Sequence, residues 1–170
     1  MKSCIMRMRY PVLTLFMLSL FATPAFAILQ KGQPAPPISV VTTSGQSVTL
    51  ANYKGYVLVL DFFATWCIPC RESIPHLINL NRKYGKQGLQ VLGMSVDEDG
   101  DKALKSFISE KKINYPVALT SEDLQADYGI RSVPTLFIIN KKGVVAEKYQ
   151  GYSDEVAKSM ETTIKRLLAE

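Results

Sequence analysis

The sequence predicts one α/β domain with a mixed central β-sheet and helices on both faces. Three observations support this fold class. The chain of 170 residues is long enough for one domain with a full hydrophobic core. Two strongly apolar runs, residues 56–64 and 89–97, are typical of buried central strands. Segments with helical spacing of apolar residues alternate with the strands, and no linker divides them.

The first half is predicted to be an N-terminal β extension followed by a β-α-β unit. Residues 38–50 favour two short strands around a turn at 43–46. The buried strand at 56–64 leads into a helix that ends near Tyr84, where glycines follow. The second buried strand, at 89–97, completes the unit.

The second half is predicted to contain a connecting region and a β-β-α unit. Its helices have apolar residues on one face, and its last two strands form a hairpin. In chain order the predicted elements are a helix at 101–112, a strand at 115–120, a helix at 121–129, strands at 135–139 and 144–149, and a helix at 154–170.

Residues 1–27 are predicted to be a signal peptide, which leaves a domain of residues 28–170. Basic residues precede an apolar stretch at 11–22, and the small-residue motif Ala-Phe-Ala at 25–27 is a cleavage site. An uncleaved membrane anchor is the alternative, because the uncharged stretch approaches the roughly 20 residues that span a bilayer.

Cleavage would change the net charge and the cysteine count. The net charge falls from +5 to about +2, and the basic residues are scattered, which argues against a nucleic-acid surface. Cys4 is lost with the signal, so that Cys67 and Cys70 are the only cysteines left. An exported protein meets an oxidising compartment, in which these two thiols can pair.

Cys67 and Cys70 stand two residues apart where a strand turns into a helix. A structural zinc site needs four ligands, whereas the exported chain offers these two cysteines and His76, so we expect no metal. A two-residue loop constrains the unfolded chain little, which disfavours a purely structural disulfide. A redox-active pair explains the position best, since C-x-x-C at such a junction is typical of one.

The start of a helix would give the two thiols different tasks. Free N–H groups and the positive end of the helix dipole stabilise a thiolate. The pKa of Cys67 should therefore be lowered, and its sulfur should face solvent as the nucleophile. Cys70, one turn further on, should face inward and attack a mixed disulfide formed by Cys67, which releases the substrate.

Asp61 lies on the strand predicted to be buried, six residues before Cys67. Burial without a compensating charge raises the pKa of a carboxyl. Such a group could accept the proton of Cys70 during resolution. The alternative is an aspartate at a strand end that reaches solvent or caps the helix.

Pro134 directly precedes a predicted strand, where a proline cannot donate a hydrogen bond to the sheet. A cis peptide bond between Val133 and Pro134 would expose a backbone edge beside the cysteines, with which a peptide substrate could pair. The alternative is an ordinary trans proline at the start of a strand, and periodicity does not decide between them.

Together these features resemble a known family. The Trp-Cys-Ile-Pro-Cys motif, Asp61, the Val-Pro-Thr segment at 133–135 and the final amphipathic helix resemble thioredoxin. The segment before the cysteines and the signal are similar to the exported TlpA/ResA branch of bacterial thioredoxin-like proteins, within the redoxin group. The resemblance covers residues 32–168 and implies a thioredoxin fold and thiol–disulfide exchange outside the cytoplasm.

The resemblance also implies a role for each site residue. Cys67 would be the attacking thiol, Cys70 the resolving thiol, Asp61 the buried proton acceptor and Pro134 the cis-proline that faces the pair. Many members reduce disulfides, including that of apocytochrome c before haem attachment, and a membrane thiol-transfer protein recharges them. The expected substrate-binding rim consists of Trp66, Ile68, Pro69, Val133 and Pro134.

The chain departs at one position from members that act in cytochrome maturation. Those members often carry Glu three residues after the second cysteine, where this chain has Ser73 with Glu72 beside it. One residue along a helix is a rotation of about 100°, so Glu72 need not reach the same place. His76 does not follow Cys70 at helical spacing, and we interpret it as a surface or packing residue.

The leading hypothesis is a monomeric bacterial thiol-disulfide oxidoreductase, periplasmic or otherwise extracytoplasmic, that reduces exported proteins and needs no cofactor beyond the Cys67–Cys70 disulfide. A disulfide-forming oxidant would use the same residues. A thiol peroxidase of the peroxiredoxin kind has a P-x-x-x-T/S-x-x-C pattern, but Ala64 stands three residues before Cys67. A binding module without activity is disfavoured because both cysteines, Asp61 and Pro134 are intact.

Overall fold

The computed structural model describes residues 29–98 and 100–170, so the predicted signal peptide at 1–27 lies outside the described residues. The strands are β1 Ser39–Val41, β2 Ser47–Thr49, β3 Val57–Phe63, β4 Leu89–Ser95, β5 Val117–Leu119, β6 Thr135–Ile139 and β7 Val145–Gln150. The α-helices are α1 Ile68–Tyr84, α2 Asp101–Lys111, α3 Glu122–Asp127 and α4 Asp154–Ala169. Each predicted element in this part of the chain is present, within a few residues of its expected bounds.

The main sheet has five strands in the order β5-β4-β3-β6-β7. Parallel pairing joins β3 to β4 and β4 to β5, and antiparallel pairing joins β3 to β6 and β6 to β7. The sheet is therefore mixed, as predicted. β3 lies at its centre, and all seven of its residues are buried. Asp61 is the only polar residue in this strand.

Alternate residues of β3 face two separate hydrophobic clusters, because successive side chains of a strand point to opposite sides. Val57 and Val59 pack with residues of α1, α2 and α4. Leu58 and Leu60 pack on the other side with α3 and the N-terminal segment. The right-handed crossovers through α1 and α2 step in the same direction along the sheet, which places both helices on one face. The prediction of helices on both faces is confirmed.

The N-terminal β extension covers the second face and continues the sheet at one edge. β1 and β2 pair antiparallel, as predicted for residues 38–50. Thr42 then bridges to Ala118 in β5, and the N–H of Thr43 donates to the carbonyl of Val117 at 2.8 Å. The extension therefore protects an edge strand that would otherwise present unpaired backbone groups.

Hydrogen bonds join the long helices α1 and α4 at the end of α1 that is remote from the cysteines. The hydroxyl of Tyr84 donates to Glu161 at 2.5 Å, and the ammonium of Lys83 donates to the same carboxylate at 2.8 Å. Both helices bury one apolar stripe against the sheet. In the described part of the chain, none of the helices combines the length and apolarity needed to cross a membrane.

Candidate active site

The two cysteines lie at the N-terminus of α1, directly after the loop that leaves β3. Cys67 is the N-cap residue, and its sulfur accepts a hydrogen bond from the backbone N–H of Cys70 at 3.2 Å. Pro69 is tolerated in this first turn, because the N–H groups at the start of a helix have no intrahelical acceptor. The predicted helix N-terminus is therefore the environment of the first cysteine.

A disulfide joins Cys67 and Cys70, whose Cα atoms are 5.3 Å apart. Cys70 is fully buried, as predicted. The expectation that Cys67 faces solvent is wrong for this oxidised form, in which the residue is only 5% exposed. The disulfide holds its sulfur over the helix N-terminus and against Cys70, which leaves little of the residue accessible.

Asp97 holds the loop between β3 and α1 in place. Its carboxylate accepts hydrogen bonds from the backbone N–H and the hydroxyl of Thr65, at 3.0 Å and 2.8 Å, and one from the hydroxyl of Ser95 at 2.5 Å. On the other side of the loop, the guanidinium of Arg71 donates to the carbonyl of Thr65 at 2.8 Å. The sequence analysis missed this network. The one indication of it in the sequence is that Asp97, a polar residue, stands at the carboxyl end of a strand predicted to be buried.

Asp61 is fully buried, and neither of its carboxylate oxygens has a hydrogen-bond partner among the described residues. Burial alone raises the pKa of this carboxyl to about 7. Alternation along β3 places Asp61 on the same face as Val59 and Phe63, which belong to the cluster that contains both cysteines. The alternative of a carboxylate that reaches solvent or caps α1 is wrong. The buried position and the raised pKa match the prediction.

The peptide bond between Val133 and Pro134 is cis, as predicted. The register of β3 and β6 pairs Phe62 with Thr135, so Pro134 lies beside the end of β3 from which the cysteine loop departs. The carbonyl of Pro134 accepts a hydrogen bond from the N–H of Gly151 at 2.9 Å. The proline segment is thus held between the loop and the neighbouring strand β7.

Two residues of the predicted rim share a groove. Trp66 and Val133 both line a groove of about 220 Å³, together with residues of the segment after α3. Trp66 is 67% exposed and Ile68 is 70% exposed, which is unusual for large apolar side chains. Pro69 is also exposed, whereas Pro134 is buried. Exposed apolar side chains therefore flank Cys67 along the chain, with Trp66 before it and Ile68 after it.

Polar residues further along α1 do not supply a second carboxyl near the cysteines. Ser73 is fully buried, and its hydroxyl donates to the carbonyl of Cys70 at 2.9 Å. Glu72 points into solvent. His76 is half-buried with its ring 6.2 Å from that of Tyr152, in keeping with the packing role expected for it. Within the described ranges, no three His, Cys, Asp or Glu side chains come together in a way that could hold a metal ion.

The fold and the disulfide together define the class of protein. A C-x-x-C pair at the start of a helix that follows a buried strand is the arrangement of thioredoxin-like thiol-disulfide oxidoreductases. The sequence model of the family described as Redoxin matches residues 30–165, and the chain belongs to this family.

Individual relatives agree with this class. The chain is 32% identical over 124 residues to the thioredoxin-like protein YneN of Bacillus subtilis, covering 72% of this chain and 73% of the relative. It is 31% identical over 140 residues to the thiol-disulfide oxidoreductase ResA of Bacillus thuringiensis, covering 82% and 79%. A crystal structure of a protein assigned as the thiol:disulfide interchange protein DsbE of Chlorobium tepidum superposes with a TM-score of 0.77, at 31% identity, over 82% of this chain and 99% of that one. The protein is a thiol-disulfide oxidoreductase of the thioredoxin-like kind, similar to ResA.

Proposed function

We propose that this protein reduces disulfides of exported proteins outside the bacterial cytoplasm and works as a monomer. The observation that carries the proposal is the asymmetry of the pair. Cys67 caps the helix, keeps 5% of its surface exposed and is flanked in sequence by two exposed apolar side chains, whereas Cys70 is fully buried. The first thiol can meet a substrate disulfide, and the second can only attack from within.

The reaction begins with reduced Cys67 and Cys70. The Cys67 thiolate attacks one sulfur of the substrate disulfide, and the other substrate sulfur leaves and takes up a proton. Cys70 then gives its proton to the carboxylate of Asp61 and attacks the sulfur of Cys67. The Cys67–Cys70 disulfide forms, the second substrate sulfur departs, and the proton held by Asp61 passes to it. Two electrons have moved from the protein to the substrate.

The exposed rim supplies the substrate contacts in this proposal. Trp66 and Val133 would hold one side of an extended peptide, and Ile68 and Pro69 the other. The backbone beside Pro134 would pair with that peptide in the manner of an added strand. A membrane thiol-transfer protein would return the protein to its reduced form. No cofactor beyond the two cysteines takes part.

The disulfide of apocytochrome c is one substrate that the proposal includes. It follows from the resemblance to the TlpA/ResA branch. The buried hydroxyl of Ser73 occupies the position where cytochrome-maturation members often carry Glu, so Asp61 is the carboxyl that would serve the thiols here. Reduction of a peptide with the Cys-x-x-Cys-His haem site, compared with reduction of insulin, tests whether this substrate is preferred.

The direction of electron flow is tested by the reduction potential of the Cys67–Cys70 pair in the purified protein, equilibrated with glutathione or dithiothreitol buffers. A value near roughly −270 mV supports the reductase. A value near roughly −120 mV would make the protein an oxidant of exported proteins and overturn the proposed direction.

The roles of the two cysteines are tested by single substitutions. Cys70→Ser should accumulate a mixed disulfide with substrate, because the resolving thiol is gone, and Cys67→Ser should form none. Cys4→Ser is the matched control, and it should keep full activity because Cys4 lies in the predicted signal. Mixed disulfides trapped equally by both single variants would contradict the assignment of roles.

Export is tested by fractionation of a bacterial host and N-terminal sequencing of the recovered protein. We propose cleavage after Ala27, so the exported protein should begin at Ile28. Recovery of the uncleaved chain in the membrane fraction would favour the anchor instead. Recovery in the cytoplasm would contradict the proposed location.

A further inference from the structure

A second buried polar group lies on the same face of the sheet as Asp61. The register of β3 and β4 pairs Asp61 with Gly93, so the space above Gly93 adjoins the carboxyl. The side chains of Phe63, Val117 and Tyr115 close this space, and the Cε2 atom of Tyr115 lies 3.4 Å from the position that a Cβ on Gly93 would take. The absence of a side chain at Gly93 therefore leaves room for the Tyr115 ring beside the strand position that pairs with Asp61.

The hydroxyl of Tyr115 is buried without a hydrogen-bond partner in the described part of the chain. The residue is 7% exposed and packs in the cluster that contains both cysteines. Both oxygens of Asp61 also lack a hydrogen-bond partner among the residues that the structure describes. A buried hydroxyl without a partner is costly, and a buried carboxylate without one is costlier still. Two such groups on adjoining positions of one face would satisfy each other.

We propose that Tyr115 is a positioning residue whose hydroxyl donates a hydrogen bond to the ionised carboxylate of Asp61. The bond is absent in the structure and forms when Asp61 carries its charge. This inference rests on the proposed function, since it concerns the carboxyl that would receive the proton of Cys70. It assigns the buried carboxyl a partner that the C-x-x-C motif does not include.

The charge of Asp61 acts on Tyr115 in the direction that this pairing requires. Burial raises the pKa of Tyr115 well above its ordinary value, and the nearby charge of Asp61 raises it further. The phenol therefore keeps its proton throughout the pH range in which Asp61 titrates. It can donate to the carboxylate but does not itself take or lose a proton in the reaction.

Apart from the reacting thiols and Tyr84, the other titratable side chains carried by the helices on this face lie at its periphery. The guanidinium of Arg71 and the ammonium of Lys111 lie 5.6 Å and 5.8 Å from the centre of the Phe107 ring, and Phe107 stacks on Phe63. Of the titratable side chains, Cys67, Cys70, Tyr84 and Tyr115 belong to the buried cluster on this face, whereas Arg71 on α1, Lys111 on α2 and Glu161 on α4 carry their charges at its periphery.

In the resolving step, the Tyr115 hydroxyl lowers the proton affinity of Asp61 without taking its place. The proton still moves from the Cys70 thiol to the Asp61 carboxylate, and the S–S bond to the substrate still breaks at Cys67. Loss of the hydroxyl should increase the fraction of molecules in which the Asp61 carboxyl is protonated at neutral pH. A protonated carboxyl cannot accept the Cys70 proton, so resolution should then need a higher pH.

The test is an NMR titration of the aspartate carboxyl carbons in the reduced protein, compared between wild type, Tyr115→Phe and Tyr84→Phe. In Tyr115→Phe, the titration midpoint of Asp61 should rise by roughly one pH unit, because the charged form loses a donor. Tyr84→Phe removes a hydroxyl from the same face but at the far end of α1, where it binds Glu161, and should leave the midpoint of Asp61 unchanged.

An unchanged Asp61 midpoint in folded Tyr115→Phe would overturn the pairing. If that variant does not fold, the Cζ signal of Tyr115 in the wild type decides, since it should move with the same midpoint as Asp61 and be flat in Asp61→Asn. A flat Cζ signal in the wild type would also overturn the pairing. These titrations need no substrate, so a failed pairing is distinguishable from a failed reductase assignment, which the trapping experiment tests separately.

Discussion

The sulfur of Cys67 lies 3.2 Å from the backbone nitrogen of Cys70, which donates a hydrogen bond to it. The first cysteine thus caps the helix that carries the second. The same N–H group would stabilise the sulfur as a thiolate after reduction, because a helix N-terminus favours negative charge. The N-terminus of α1 therefore determines both the position and the reactivity of Cys67.

We expect the stability of the protein to fall as the pH rises from about 4 to about 7, through the contribution of Asp61. Its folded-state pKa of about 7 lies above the ordinary value of 3.8, so the folded protein holds the proton more tightly than the unfolded chain. The contribution is complete below pH 3.8 and is lost as the pH passes through 7. The two pKa values differ by roughly three units, which corresponds to about 4 kcal/mol of unfolding free energy.

The measurement is urea unfolding of the oxidised wild type and of Asp61→Asn at pH 4 and pH 8. The free energy of unfolding of Asp61→Asn minus that of the wild type should be larger at pH 8 than at pH 4 by about 4 kcal/mol. Asp123→Asn, at an exposed position of α3, is the control and should show the same difference at both pH values. An Asp61→Asn difference independent of pH would contradict the raised pKa.

Trp66→Ala should weaken the reduction of protein substrates while leaving the fold intact. An exposed tryptophan at the rim of a binding site can contribute about 2 kcal/mol to binding, so KM for a protein disulfide should rise by roughly tenfold or more. The rate with a small disulfide such as oxidised glutathione should change little, since it needs no extended surface. Thermal unfolding should shift only slightly.

Tyr56→Ala serves as the control for this substitution. Tyr56 is also a large exposed side chain, at 43%, but it precedes β3 at the end of the sheet remote from the disulfide. Its removal should leave KM unchanged. Equal effects of both substitutions on KM would show that Trp66 does not contact the substrate.

Asp97→Ala should destabilise the protein by about 2 kcal/mol, because it leaves the Thr65 N–H and hydroxyl and the Ser95 hydroxyl without their acceptor. Activity should fall as well, since Thr65 is two residues from Cys67. Urea unfolding and insulin reduction measure the two effects. Glu98→Ala removes an exposed carboxylate next in the chain, and should match the wild type in both assays.

Gly93→Ala should cost about 1–3 kcal/mol of stability through overpacking. The added Cβ would lie 3.1 Å from Phe63, 3.2 Å from Val117 and 3.4 Å from Tyr115, so three packed side chains would have to move. Gly85→Ala is the control, because its Cβ would meet only Asn81 at 3.7 Å and its φ of −55° suits alanine. A lower melting temperature for Gly85→Ala than for Gly93→Ala would refute this account of the packing.

Much of the site could be predicted from sequence, because its chemistry depends on residue types at fixed local spacing. The apolar run at 56–64 predicted β3, and a carboxyl inside such a run has to be buried with it, which identified Asp61. Cys67 and Cys70 were found because three residues are about one helical turn. Pro134 was identified because a proline cannot donate a hydrogen bond to the strand that it precedes, and the resemblance to thioredoxin, not periodicity, predicted its cis bond.

The residues that the sequence analysis missed act through partners distant in the chain. Asp97 accepts a hydrogen bond from Thr65, which lies 32 residues earlier in the chain, and no local sequence pattern predicts this contact. Tyr115 packs over Gly93, which pairs with Asp61 in the sheet, although 54 positions separate Tyr115 from Asp61 in the chain. The exposure of Cys67 was predicted wrongly for a similar reason. Burial depends on all the neighbours of a side chain, and a helix N-terminus by itself does not fix it.

The sequence by itself determined the strands and helices, the redox pair and the buried carboxyl, since periodicity, capping and motif spacing are local properties of the chain. The tertiary structure decided the strand order, the network that holds the cysteine loop and the approach of Tyr115 to Asp61. These depend on the pairing and packing of segments far apart in sequence. Such contacts arise from the shapes of side chains that meet only once the sheet has formed, so no local pattern encodes them.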